Sequence, residues 1–196
     1  MEGVVLRSTG SFYDVLTEDG RKFVCKVRGR IRLEGIKESN PVAVGDRVGF
    51  DVNHELGSIT EILPRNNHIL RQSVKKTGHA HVLAANVDQA FLIVTLAFPR
   101  TSLGFIDRFL VSAESFRIPQ TLVFNKTDLL DVDDLEYQAA LMDLYKHIGV
   151  EVMSMAATRD DISELRRRLE GKTTLFAGHS GVGKSTIINR LLPHLQ

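Results

Sequence analysis

Gly178-His179-Ser180-Gly181-Val182-Gly183-Lys184-Ser185 matches the phosphate-loop pattern, Gly, four free positions, then Gly-Lys-Ser, at every fixed position. Its context is the one the pattern needs. Thr173 to Ala177 is a β-rich run that reads as a buried strand, and Thr186 to Leu192 opens a helix with Pro193 near its end. Gly178, Gly181 and Gly183 let backbone N–H groups turn inward around phosphate oxygens at the positive end of that helix. Lys184 is placed to reach the β and γ phosphates, Ser185 to offer its hydroxyl to Mg²⁺, and Thr186 to hydrogen-bond the α phosphate. The free positions His179, Ser180 and Val182 complete the loop, and His179 is read as an exposed bystander.

The second motif is Asn125-Lys126-Thr127-Asp128, at the end of the apolar run Gln120 to Phe124. Ligands of open α/β sheets sit at the C-terminal ends of strands. An Asp carboxylate accepts from both N1–H and the exocyclic N2 amine of guanine, and adenine offers neither donor there. A buried acceptor of this kind rejects the wrong base by about 10⁴ where the geometry is good. Asn125 is expected to tie the base loop to the phosphate loop, with the stem of Lys126 over base and ribose. A helix N-cap is the plainer alternative for Asp128. In an ordinary small GTPase the phosphate loop comes first and the tetrad more than a hundred residues later. The reversed order here implies a circularly permuted GTPase domain.

The elements between the motifs fit that reading. Asp133 to Ile148 reads as a helix with Leu135, Ala139, Met142, Tyr145 and Ile148 on one face, closed by Gly149. Val150 to Ser154 reads as a strand, and Ser154-Met155-Ala156 stands where GTPases place a loop whose backbone N–H reaches guanine O6. Asp161 to Leu169 is a last amphipathic helix. Upstream, Gln89 to Leu96 is an apolar strand and Leu103 to Phe116 a helix. Strand and helix alternate throughout, which predicts a parallel doubly wound sheet, incomplete because the edge strands with the switch regions are not among the motifs found. The phosphate-loop strand is then an edge.

Residues 1–65 carry no helical period but about five short alternating runs, with turns at Asp19-Gly20 and Leu56-Gly57. This predicts an all-β, five-stranded OB-type barrel. Lys26, Arg28, Arg30 and Arg32 recur at period two and so share a face, opposite Cys25, Val27, Ile31 and Leu33. Such a basic ridge suits an RNA backbone; a solvated strand is the plainer reading. Residues 66–86, with Arg71, Lys75, Lys76, His79 and His81, read as a basic linker, the histidines solvated rather than metal-bound. The nucleotide domain then runs over 87–196. Residues 1–82 carry net +3 and the rest −2, which points to the barrel as the nucleic-acid side.

With 196 residues and 43% hydrophobic content the chain can bury two cores. No apolar run reaches transmembrane length and no signal peptide opens the chain, so a cytoplasmic protein without membrane attachment is expected. The single Cys25 excludes an internal disulfide.

The run Cys25 to Arg32, the joint Ala84-Ala85-Asn86-Val87-Asp88-Gln89 and the permuted motifs together resemble the ribosome small-subunit-dependent GTPase A family, also called RsgA or YjeQ, over essentially the whole chain. The resemblance implies a GTPase of late small-subunit maturation that is bound to ribosomal RNA and stimulated by the small subunit; GTP or GDP with Mg²⁺ and a monomeric state are expected beside it. Lys184 and Ser185 would be its catalytic residues here. Family members continue with switch regions and a C-terminal zinc domain, whereas this sequence stops at Gln196. The expectation is that the 196-residue polypeptide binds nucleotide but hydrolyses it poorly, with zinc only in a longer parent. A nucleotide-sensing RNA-binding module and a P-loop ATPase with a chance tetrad remain open alternatives.

Overall fold

The structure, a computed structural model, describes residues 1–28, 42–53, 56–72 and 80–193. The chain divides into two compact units, Met1–Val87 and Asp88–Gln196.

The first unit is built on β1 (Glu2–Thr9), β2 (Phe12–Leu16), β3 (Lys22–Val27), β4 (Arg47–Asn53) and β5 (Leu56–Ile62), closed into a barrel in the order β1-β2-β3-β5-β4. Pairing is antiparallel except between β3 and β5, which run parallel. Alternation drives the closure: Val5, Tyr13, Val15, Cys25, Val48, Phe50 and Ile59 point inward and form one core. The turn at Asp19-Gly20 is present, with Gly20 at φ +81° and its N–H on Thr17 O at 3.0 Å. Leu56-Gly57, expected as a turn, instead opens β5. Gly57 pairs with Cys25 across the parallel ladder, and a Cβ there would collide with Cys25 Sγ, so this glycine serves close packing rather than reversal. β3 ends at Val27. Of the expected run from Lys22 to Leu33, residues 29–33, Arg30 and Arg32 among them, lie outside the described residues.

The stretch expected as a linker is partly folded. β6 (His68–Gln72) and β7 (Ala80–Ala85) pair antiparallel. Ala85 N–H donates to Val44 O at 2.9 Å and Asn86 Nδ2 to Gly45 O at 3.0 Å, which binds the hairpin to the segment before β4. Asn67 bridges Val87 through both its amide groups, at 2.8 and 2.9 Å. Beneath this joint Asp46 is fully buried. Its carboxylate accepts from Arg65 Nε and Nη2 at 2.6 and 2.8 Å and from Ala43 N–H at 2.8 Å. Removing one partner of such a buried pair costs about 3–5 kcal/mol.

The second unit is a parallel sheet of β8 (Gln89–Val94), β9 (Gln120–Asn125), β10 (Glu151–Met155) and β11 (Thr174–Ala177), in the order β10-β9-β8-β11. Every residue of β8 is buried, as a central parallel strand covered on both faces requires. β11 stands at the end of the sheet with all four residues half-buried. The connecting helices are α1 (Leu103–Ser115), α2 (Val132–His147) and α3 (Ser163–Leu169), and α4 (Lys184–Leu191) follows β11. Phe91, Ile93 and Val123 pack with Leu165, Ile187 and Leu191 on the α3–α4 side.

Helix ends follow local chemistry. Asp131 caps α2 by accepting from Asp134 N–H at 2.9 Å, and acidic Asp133 and Asp134 in the first turn oppose Lys146 and His147 in the last. Asp161 lies just outside α3 rather than inside it. The hydroxyl and then the N–H of Ser163 hold its carboxyl below the usual carboxylate range. The face of α2 differs from expectation: Gln138, Leu141 and Tyr145 are buried, while Leu135 and Ile148 are exposed. Tyr145 decides the rotation, because its hydroxyl donates to Asp107 of α1 at 2.9 Å. No described helix is long and apolar enough to cross a membrane.

Candidate functional site: a phosphate loop joined to a base-reading loop

All four strand ends of the second unit open toward one edge, which brings together residues 95–101, 125–128, 156–160 and 178–183. The phosphate loop has the backbone that its glycines permit. Gly178, Gly181 and Gly183 lie at φ +143°, +82° and +100°. A Cβ on Gly183 would strike Asn125 Nδ2, so this glycine is required by contact as well as by conformation. Lys184 opens α4 and folds back, donating to Gly178 O at 2.8 Å and His179 O at 2.6 Å. Ser185 and Thr186 are exposed in the first helical turn, Ser180 is exposed in the loop, and Val182 is buried beneath it. His179 is exposed yet has a neighbour, its ring 4.0 Å from that of Phe105 at 33°.

Asn125 is the hinge of the site. It is buried, Nδ2 donates to Val182 O at 2.8 Å, and Oδ1 accepts from Ala157 N–H at 3.0 Å. One side chain thus ties the end of β9 to the phosphate loop and to the turn after β10. Lys126 follows in the left-handed conformation at φ +63°, and its Nζ donates to Phe98 O at 2.6 Å. Asp128 sits in a short 3₁₀ turn, Thr127–Leu129, with its side chain 14% exposed and 3.4 Å from Arg159 Nε. It does not cap α2, because Asp131 does.

The turn after β10 starts later than the sequence suggests. Ser154 and Met155 remain in the strand, Met155 opposite Asn125 and buried in the core, because an apolar side chain completes the sheet face there. Residues 156–160 form the turn itself. Ala156 N–H donates to Asp160 Oδ2 at 2.6 Å, and the N–H groups of Arg159 and Asp160 both reach Ala156 O at 2.9 Å. Arg190 of α4 supports this turn from below, with Nη1 on Ala157 O at 2.7 Å and Asp160 O at 2.8 Å. Asp160, Arg159 and Arg190 carry no motif signal; only the fold assembles them.

On the barrel, Lys26 and Arg28 are exposed while Cys25 beside them is fully buried. Lys26 Nζ lies 4.5 Å over the ring of Phe12 on the neighbouring strand β2. No group of three or more His, Cys, Asp or Glu among the described residues is arranged to hold a metal.

An OB-type barrel, and a parallel sheet in which the base-reading tetrad precedes the phosphate loop, define a circularly permuted P-loop GTPase fold with an N-terminal barrel. Comparison with known proteins agrees. Residues 62–196 match the family model for the RsgA GTPase and residues 2–59 that for the RsgA N-terminal domain. The chain belongs to the RsgA family. It is 50% identical over 195 residues to small ribosomal subunit biogenesis GTPase RsgA 2 of Bacteroides thetaiotaomicron, covering 98% of this chain and 63% of that protein. To RsgA of Bacteroides fragilis it is 48% identical over 198 residues, covering 100% and 64%. The chain therefore spans somewhat under two thirds of the length of these relatives. Among solved structures it is similar to YjeQ from Thermotoga maritima, with TM-score 0.71 and 36% identity over 100% of this chain and 66% of that one. It is also similar to YloQ, described as a circularly permuted GTPase, with TM-score 0.64 and 31% identity over 99% and 65%.

Proposed function

We propose that this chain binds GTP and GDP through its second unit, and that the whole protein hydrolyses GTP during maturation of the small ribosomal subunit. The observation that carries the reading is the bridge from Asn125 to Val182 O and Ala157 N–H, which joins base loop and phosphate loop into one site. Residues 178–186 take the phosphates, with Lys184 poised to exchange its two loop carbonyls for β and γ oxygens. Asp128 reads the guanine N1–H and N2 amine, and the 156–160 turn, tied to Asn125 through Ala157 N–H, lines the O6 side of the base, a place that the sequence alone gives to Ser154 to Ala156.

Mg²⁺ fits the residues present in a limited way. It takes one or two protein oxygens and completes its octahedron with phosphates and water, and Ser185, exposed in the first turn of α4, supplies one such oxygen. When bound, the ion neutralises charge on the phosphates. Lys184 adds a fixed cation to the same oxygens. Zinc belongs to the C-terminal domain that the resemblance implies. The barrel, residues 1–65, is assigned to ribosomal RNA through Lys26 and Arg28, with Arg30 and Arg32 outside the described residues. We assign the protein to the cytoplasm as a monomer.

Asp128→Asn tests the site. The amide no longer accepts from both guanine donors, so GDP binding weakens by about 10²-fold or more while xanthosine diphosphate, with a carbonyl at that position, gains affinity. Unchanged GDP affinity in the variant sinks the base-site assignment.

A further inference from the structure

We infer that Arg190 is a positioning residue for guanine: a strut from the phosphate-loop helix that holds the 156–160 turn in its base-facing conformation. The inference rests on the proposed guanine site and goes beyond the motifs that define it. Arg190 lies in the last turn of α4, the helix that begins at Lys184. Its Nη1 alone carries two hydrogen bonds, to Ala157 O and Asp160 O at 2.7 and 2.8 Å. Those carbonyls belong to the turn whose amides are otherwise committed, Ala157 N–H to Asn125 and Ala156 N–H to Asp160. The same turn carries Arg159, the ion-pair partner of Asp128.

Together these bonds close a circuit. From Val182 O in the phosphate loop it runs through Asn125 to Ala157, through Ala157 O to Arg190, and back along α4 to Lys184. Phosphates act on the first turn of that helix; Arg190 is six residues on, about 9 Å along the axis. α4 is rigid over that length, so an occupied phosphate loop and an ordered base turn support each other. Without the strut the turn has to be ordered by the base itself, and that loss of freedom is subtracted from guanine affinity. A residue serving only the fold would weaken every nucleotide alike.

The test is equilibrium titration of the chain with fluorescent GDP and ADP, comparing the unmodified chain with Arg190→Ala and Arg190→Lys. Arg190→Ala is expected to lower GDP affinity about tenfold and to leave the weak ADP affinity within about twofold. Arg190→Lys keeps a cationic donor and should recover part of the GDP preference. Equal losses for both nucleotides, no loss for either, or no recovery in Arg190→Lys overturns the inference. An unmodified chain with no preference for GDP over ADP fails separately, because it overturns the guanine site itself.

Discussion

Asn125→Ala is the most direct perturbation of the second unit, because the side chain is buried and both of its bonds are to backbone. Truncation leaves Ala157 N–H and Val182 O without their partner. Each buried polar group so orphaned costs about 1–3 kcal/mol, for a total of about 2–6 kcal/mol. Against a domain stability of about 5–15 kcal/mol this is a large fraction. At about 4 °C per kcal/mol, the lower bound for a unit of this size, the melting midpoint should fall by about 8 °C or more. Differential scanning fluorimetry reads this directly, and GDP should rescue the variant less than the unmodified chain because the base and phosphate loops no longer share a strut. Asn125→Asp sharpens the argument. Its second oxygen faces Val182 O, and burial beside a carbonyl raises the folded-state pKa above the ~3.9 of a free Asp. The neutral acid can donate to that carbonyl, so its stability is fully present below the unfolded pKa and is lost as pH rises through the raised folded value. The Asp variant should therefore melt higher at pH 5 than at pH 8, relative to the Ala variant. A midpoint for Asn125→Ala within about 2 °C of the unmodified chain, equivalent to roughly 0.5 kcal/mol at the same slope, would refute the bridge as a structural strut.

Cys25 should be inert in the folded chain. Burial and then the charge of Asp14 push its thiol up to about 11, so at pH 8 an aromatic disulfide reagent should react only after denaturant is added; a native-state reaction as fast as in denaturant contradicts the barrel core. Neutralising Lys26 and Arg28 together should weaken binding of the full-length protein to small subunits and lower the log–log salt slope by about 2, one for each phosphate no longer neutralised; the same slope in variant and parent means neither cation sits on a phosphate.

Two departures from the sequence reading have a common cause, in that the deciding interactions are non-local. The helix over α2 is legible from its acidic start and Gly149. Its face is not, since Leu135, Leu141, Met142, Leu144, Tyr145 and Ile148 supply more than one stripe at helical spacing. Burial of Gln138 and the bond from Tyr145 to Asp107 settle the rotation, and Asp107 is thirty-eight residues away. By its charge alone the stretch 66–86 is a linker. Its strands are fixed instead by Asn67, Asn86 and the backbone of Val44 and Gly45, partners that no local pattern announces.

The nucleotide site divides along the same line. The phosphate loop is legible because its requirements are local: glycines where φ is positive, then a Lys and a Ser at the start of a helix. The 156–160 turn is not, because it is held through backbone N–H and C=O groups that many sequences supply equally, and its supports Asp160 and Arg190 look like residues of a solvated face. The reversed motif order, by contrast, does not disturb the site. β9 and β11 flank β8 on either side, two strand spacings or about 10 Å apart. Both end at the same edge, so the loops that follow them converge whichever is synthesised first. The Asn125 side chain spans the remaining gap, and Gly183, which could carry no Cβ against it, keeps that gap open. What the site requires is the lateral order of strands, and a permuted chain preserves that order while changing only which loop comes first.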